Sequence, residues 1–151
     1  MEKKEFLDYL KSRFKERGFF NKKDILYLEG EEIICSIKFQ GSAYGGKAYY
    51  INYCFYIKNG SIDNPYPSFY DNDVYGRIRV KTTTTLDHNN QPFMTVLIEY
   101  EDYRKEDLDP YIDAALNDYL LPAVREGKQF ILKNKDVYFR YSEEVENKLK
   151  E

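Results

Sequence analysis

A chain of 151 residues, 42% apolar and 32% charged, is long enough to bury a core without disulfides or metals and too apolar to stay unfolded. Its 23 basic and 26 acidic residues leave a formal charge of −3, which lacks the global basic footprint of a nucleic-acid binder. No run approaches the roughly 18 apolar residues of a membrane span, and charges interrupt the amino terminus, MEKKEFLDYLKSRFKERG, too often for a signal peptide. A cytoplasmic protein is therefore expected.

The first predicted element is a helix over residues 2–16, with Phe6, Leu7, Leu10 and Phe14 at helical spacing and Gly18 as its stop. A short strand at 25–29 and a turn at EGEE follow. Residues 32–40 then alternate, with Ile33, Cys35, Ile37 and Phe39 on one face and Glu32, Ser36, Lys38 and Gln40 on the other. Residues 47–58 alternate again. Tyr49, Ile51, Tyr53, Phe55 and Ile57 form the more apolar face; Ala48, Tyr50, Asn52, Cys54, Tyr56 and Lys58 form the other. This parity puts Cys35 and Cys54 on opposite sheet faces, so they are read as unbridged, inert thiols.

Between these strands, GSAYGGK at 41–47 matches half of a phosphate-loop fingerprint. The fingerprint needs Ser or Thr after the lysine to hold Mg²⁺ and a helix next, to turn its amino terminus to the anion. Here Ala48 follows Lys47 and a strand follows Ala48, so the stretch is read as a hairpin turn with Gly45 and Gly46 at positive φ.

Residues 77–86 and 93–101 read as a further hairpin closed by DHNNQP. Ile78, Val80, Thr82, Thr84 and Leu86 face Met94, Val96, Ile98 and Tyr100. Joining the apolar faces requires an even register sum, and one such register sets Arg79 opposite Glu99 and Arg77 opposite Glu101. A long helix is predicted over 109–126, with Asp109 as N-cap, Pro110 as first residue and a kink or division at Pro122. DVYFRY at 136–141 reads as a last strand or extended segment, and Ser142 caps a terminal helix with Val145 and Leu149 inward. The sum is one α+β domain over residues 1–151. Its core is an antiparallel β-meander of about four to five strands with helices packed on one face, in the order α-β-β-β-β-β-α-α.

Three features point to a site. The connection Asn59–Gly76 is long for a compact domain and is either functional or an ordered cover held by Tyr66, Phe69 and Tyr70. Within it, Asp71 to Asp73 and Gly76 faintly resemble a calcium loop. The fifth position is Tyr75 and the twelfth Thr82, so a solvated turn or strand cap is the better reading and no metal is expected. Last, Arg77, Arg79 and Lys81 form a cationic row on the less apolar face, beside Tyr50, Asn52 and Tyr56. That surface suits an anion or a protein, unless Glu99 and Glu101 neutralise it. The candidate binding residues are Tyr50, Asn52, Tyr70, Asp71, Asp73, Arg77 and Arg79. No catalytic constellation and no cofactor motif emerge.

An amphipathic first helix stopped by GFF, then IICSIKFQGSAYGGKAYYIN, a Pro-containing loop and DVYGRIRV, resemble the bacterial domain-of-unknown-function family numbered 4304 over roughly residues 5–80. Gln40, Ser42, Tyr44, Gly45, Tyr49, Tyr50, Ile51, Asn52, Arg77 and Arg79 carry the resemblance. Tyr75 and Gly76 depart from it where a histidine is expected. The resemblance implies a small cytosolic bacterial α+β protein and no established activity. The function expected is a non-enzymatic protein-binding module of the immunity or antitoxin-like kind. The alternative is an enzyme or sensor that binds an anionic small molecule on the Tyr/Arg face; nucleic-acid binding is the weakest reading.

Overall fold

The computed structural model describes residues 1–43, 45–59 and 66–151. Tyr44, part of the resemblance, and residues 60–65 of the long connection lie outside the described residues. The first helix, α1 (Lys3–Lys15), buries Phe6, Tyr9, Leu10 and Phe14. Strands β1 (Phe20–Lys22), β2 (Ile25–Glu29), β3 (Ile33–Gly41) and β4 (Ala48–Ile57) follow as an antiparallel meander. The sheet is the α+β core expected from the alternating patterns, with β1 as a short strand the periodicity did not show.

In the β3–β4 register Cys35 faces Phe55 and Ser36 faces Cys54, so the two thiols lie on opposite faces; both are free and buried. Burial pushes Cys54 up to about 12 and Cys35 well above the ordinary thiol value. GSAYGGK closes this hairpin: Gly41 pairs with Tyr49, and Gly45 takes φ +73, a conformation side chains resist. Lys47 pairs with Glu101 at 3.1 Å.

The expected hairpin over 77–101 is corrected. β5 (Val74–Arg77) pairs with β4, setting Asn52 opposite Arg77. Only then does the chain leave the sheet, and β6 (Val80–Lys81) pairs with β7 (Met94–Thr95), Val80 opposite Thr95, in an odd register sum. β8 (Ile98–Glu99) returns to β4, placing Glu99 opposite Ala48. The physical reason is a bend between β7 and β8. The Leu97 amide donates to the Thr95 hydroxyl at 3.1 Å, which breaks the two-residue period. Met94 is consequently 48% exposed while Ile98 is buried, and neither Glu99 nor Glu101 reaches the arginines.

The helix expected at 109 begins earlier. α2 (Lys105–Ala115) starts at Arg104, whose amide donates to Asp107 Oδ2 at 2.9 Å, and Pro110 lies inside it. Asp109 is therefore no cap. With Asp113, and with Asn117 just beyond the end of α2, it forms a seam that receives Tyr9 and Arg13 of α1 and Arg17 just after it. A π-helical turn, Leu116–Leu120, then leads into α3 (Leu121–Glu126), with Pro122 in its first turn, so the division expected at Pro122 is present. α4 (Lys128–Lys133) was not foreseen. Residues 136–141 form no strand: Asp136 takes φ +64 and only an isolated bridge joins Lys135 to Phe139. In the last helix, α5 (Glu143–Lys150), Ser142 accepts from the Val145 amide and Leu149 is buried.

The helices cover one sheet face, and α1, α2, α3 and α5 share one apolar core with Cys35, Ile37, Ile51, Phe55 and Ile57. The described part of the long connection covers the other face. Tyr27 donates to the Pro67 carbonyl at 2.9 Å, Phe69 is buried, and Tyr66 packs on Tyr27 with ring centroids 5.3 Å apart. Tyr70 holds nothing down, being 83% exposed.

Candidate functional site

The site is assembled by parity across β3, β4 and β5. Lys38 pairs with Asn52, Gln40 with Tyr50, and Asn52 in turn with Arg77, so all five side chains share the face away from the helices. Asn52 is 2% exposed, and both of its side-chain polar atoms are bonded. Its Nδ2 donates to Gln40 Oε1 at 2.8 Å; its Oδ1 accepts from Tyr75 Oη at 3.1 Å and from Arg77 Nε at 3.0 Å. Arg77 Nη2 also donates to Gln40 Oε1 at 3.3 Å, and the guanidinium carbon lies 3.8 Å from the centroid of the Tyr50 ring. Arg77 is thus held by stacking on one side and by a buried amide on another.

Beside it opens a recess of about 410 Å³ lined by Lys38, Asn52, Phe69, Asn72, Tyr75 and Arg77 among others. Lys38 brings a second cation, 3.8 Å from the exposed carboxylate of Asp24, with its Nζ 5.7 Å from the Phe69 ring centroid. Arg77 makes no ion pair among the described residues. Two cations, amides, phenols and an aromatic floor fit a carboxylate or phosphate carried on a partly apolar body.

Of the candidate residues, Tyr50, Asn52, Tyr70 and Arg77 meet at this recess. Asp71 is exposed and has no described side-chain partner. Asp73 serves elsewhere. Its Oδ2 accepts from the Ile57 amide at 2.7 Å and its Oδ1 from Lys148 at 2.8 Å, tying the end of β4 to α5. Both oxygens are occupied, and no group among the described residues is arranged to hold a metal ion. Arg79 leaves the row, because the chain turns away from β4 after Ile78. Lys38, Gln40 and Tyr75 are not among the binding residues expected from sequence, although Gln40 carries part of the family resemblance. The polar parity of β3, folded onto that of β4 through the GSAYGGK turn, carries the signal for the first two.

Arg79 lines a second hollow, of about 660 Å³, on the helix side of β5, with Tyr53, Tyr119, Tyr138, Val137 and Arg140. Gly76 is required here: a Cβ on it would run into the Tyr53 hydroxyl, which reaches the hollow beneath the bare backbone. Burial, and then the neighbouring Cys35 and Cys54, push the Tyr53 phenol up to about 12; burial and then Asp102 and Glu99 do the same to Tyr103. In the unfolded chain both phenols ionise near their ordinary value of about 10, so the unfolded state loses these protons first. The contribution of these two rings to stability is therefore expected to fall as pH rises from about 10 to about 12, read as a drop in the urea midpoint across that window; a flat profile through it would contradict the burial of these two rings.

A family model described as "Domain of unknown function (DUF4304)" matches residues 10–126, which bears out the resemblance seen in the amino-terminal motifs and extends it through α3. No curated protein and no solved structure matches the chain. No helix among the described residues is long and apolar enough to cross a membrane.

Proposed function

Since the chain belongs to the DUF4304 family, whose description carries no activity, we propose from the site itself that the protein is a non-enzymatic binding module. Its anchor is the recess around Arg77, and its ligand carries a carboxylate or phosphate group. One observation carries this reading: Arg77 is fixed by Tyr50, Asn52 and Gln40 and has no carboxylate partner among the described residues. A guanidinium fixed in advance loses little freedom when it receives an anion. A free small anion and a protein that presents such a group, as for an immunity or antitoxin-like module, share this chemistry. The split of the basic row across two faces gives a nucleic-acid backbone no continuous track.

The test is a titration followed by amide NMR, with phosphoserine and N-acetylglutamate as probes. Shifts are expected at Asn52, Tyr75 and Arg77, with affinity reduced about tenfold or more in Arg77→Gln, the loss of a charge-assisted contact. Undiminished binding by that variant, or shifts confined to other elements, would remove the recess from the function.

A further inference from the structure

The sheet has two outer edges, β1 on one side and β5 with the short β8 on the other, and they are finished differently. β1 is three residues long, ends at Lys22 with Lys23 in the turn after it, and has the Lys22 ammonium 4.1 Å from the Tyr66 ring centroid. Charge and brevity of this kind discourage further pairing. β5, at the other side, pairs only with β4, and no described strand lies against its outer edge.

The register says which groups that edge offers. Ser42 and Lys58 amides bond across the β3–β4 ladder to Ala48 and Glu32, so even-numbered residues of β4 turn their backbone to β3. Odd-numbered residues turn theirs to β5, as the Ile78 amide on the Ile51 carbonyl shows. Val74 and Gly76 therefore face β4, and the N–H and C=O groups of Tyr75 and Arg77 face outward.

A strand added here would send alternate side chains to opposite faces of the sheet. One set meets the recess, with Lys38 and Arg77. The other meets the hollow, with Val137 and Tyr138 exposed on it, Arg79 and Arg140 also lining it, and Asp118 and Asp136 beside them. Arg77, Arg79 and Arg140 have no ion pair among the described residues. The charge of this edge favours an acidic segment and opposes a second copy of the same chain, whose arginines would meet these.

We propose that β5 receives an extended acidic segment of a partner protein as an added strand. Its carboxylates enter the recess, its apolar side chains enter the hollow, and its backbone bonds to Tyr75 and Arg77. The proposal rests on the recess being an anion site, and it names the body that carries the anion. Strand addition derives affinity from main-chain bonds and specificity from the alternating pockets.

A blocked peptide of alternating glutamate and valine is the probe, with amide exchange of the intact protein as readout. Exchange of the Tyr75 and Arg77 amides should slow about tenfold or more on binding, while Val74 and Gly76, already bonded to β4, stay as they were. Methylating the peptide amides that meet the edge should weaken binding about tenfold, and replacing its glutamates with lysine should abolish it. Equal binding by the methylated peptide would overturn strand addition. So would no peptide binding alongside intact phosphoserine shifts at Arg77; both outcomes leave the anion reading standing. Loss of the phosphoserine and N-acetylglutamate response as well would sink both. Protection of Tyr75 and Arg77 that grows with protein concentration and no peptide would assign the edge to a second copy instead.

Discussion

Phe139→Ala is expected to lower the unfolding free energy by about 3–5 kcal/mol, the usual cost of emptying a buried phenylalanine site. The ring is 1% exposed and is enclosed by other rings: Phe55 at 5.3 Å, Tyr119 at 6.1 Å, Phe130 at 6.1 Å and Tyr138 at 6.3 Å between centroids. Three of those contacts are edge-on with neighbours from the sheet or the helices, so the ring fixes the turn at 134–141 to both layers. For a chain of this size the loss corresponds to roughly 10 °C in Tm. Val137→Ala is the control. In a strand the two side chains would share a face and both would matter. In the turn observed, Val137 is 69% exposed, and its truncation should change stability by no more than about 0.5 kcal/mol. Comparable losses from both, measured by urea unfolding, would restore the strand.

Asp73→Ala should cost about 3 kcal/mol, since it removes an acceptor and leaves two donors behind. The Ile57 amide is the next group along the β4–β5 ladder, and a carboxylate, not a carbonyl, receives it. The Asp73 amide meanwhile donates to the Phe55 carbonyl at 2.9 Å. The side chain is 11% exposed, so water has little access to replace either bond. Asp73→Asn keeps an acceptor for Ile57 and gives up the charge opposite Lys148, and should lose about 1 kcal/mol. Lys148→Met should lose a similar amount, with strong coupling between the two in a double-mutant cycle. If Asp73→Ala were instead neutral for stability and damaging to binding of the phosphoserine probe, Asp73 would belong to the site and not to the frame.

These two residues mark the limit of what the sequence discloses. Strong alternation in β3 and β4 was readable because each strand keeps one buried face along its length. That parity was enough to bring Tyr50, Asn52 and Arg77 together. Arg79 was lost because a run of uniform-looking strand residues leaves β4 after Ile78 and takes β7 as its new partner at Val80, a change that no alternation in the run records. Pro110 follows the local rule for a first helical residue, yet the cap at Arg104 and Asp107 and the seam to α1 begin the helix a turn earlier. Asp73 looked like a loop ligand. Its true partner, Lys148, is 75 positions away, and no short-range pattern records that.

The π-helical turn between α2 and α3 fixes a matter of length. Each residue added to or removed from a helix rotates everything beyond it by about 100°. Leu116 and Leu120 are both fully buried within the turn, and Pro122, Ala123 and Val124 are buried after it. A π turn holds one residue more than an α turn, so deleting one residue there would let it close to ordinary α-helix with those three side chains still against the core, whereas a deletion within α2 would swing them round by that angle. The widened turn is thus spare length and not spare chemistry: it can give up one residue, whereas truncating Leu116 or Leu120, both fully buried, would empty part of the core.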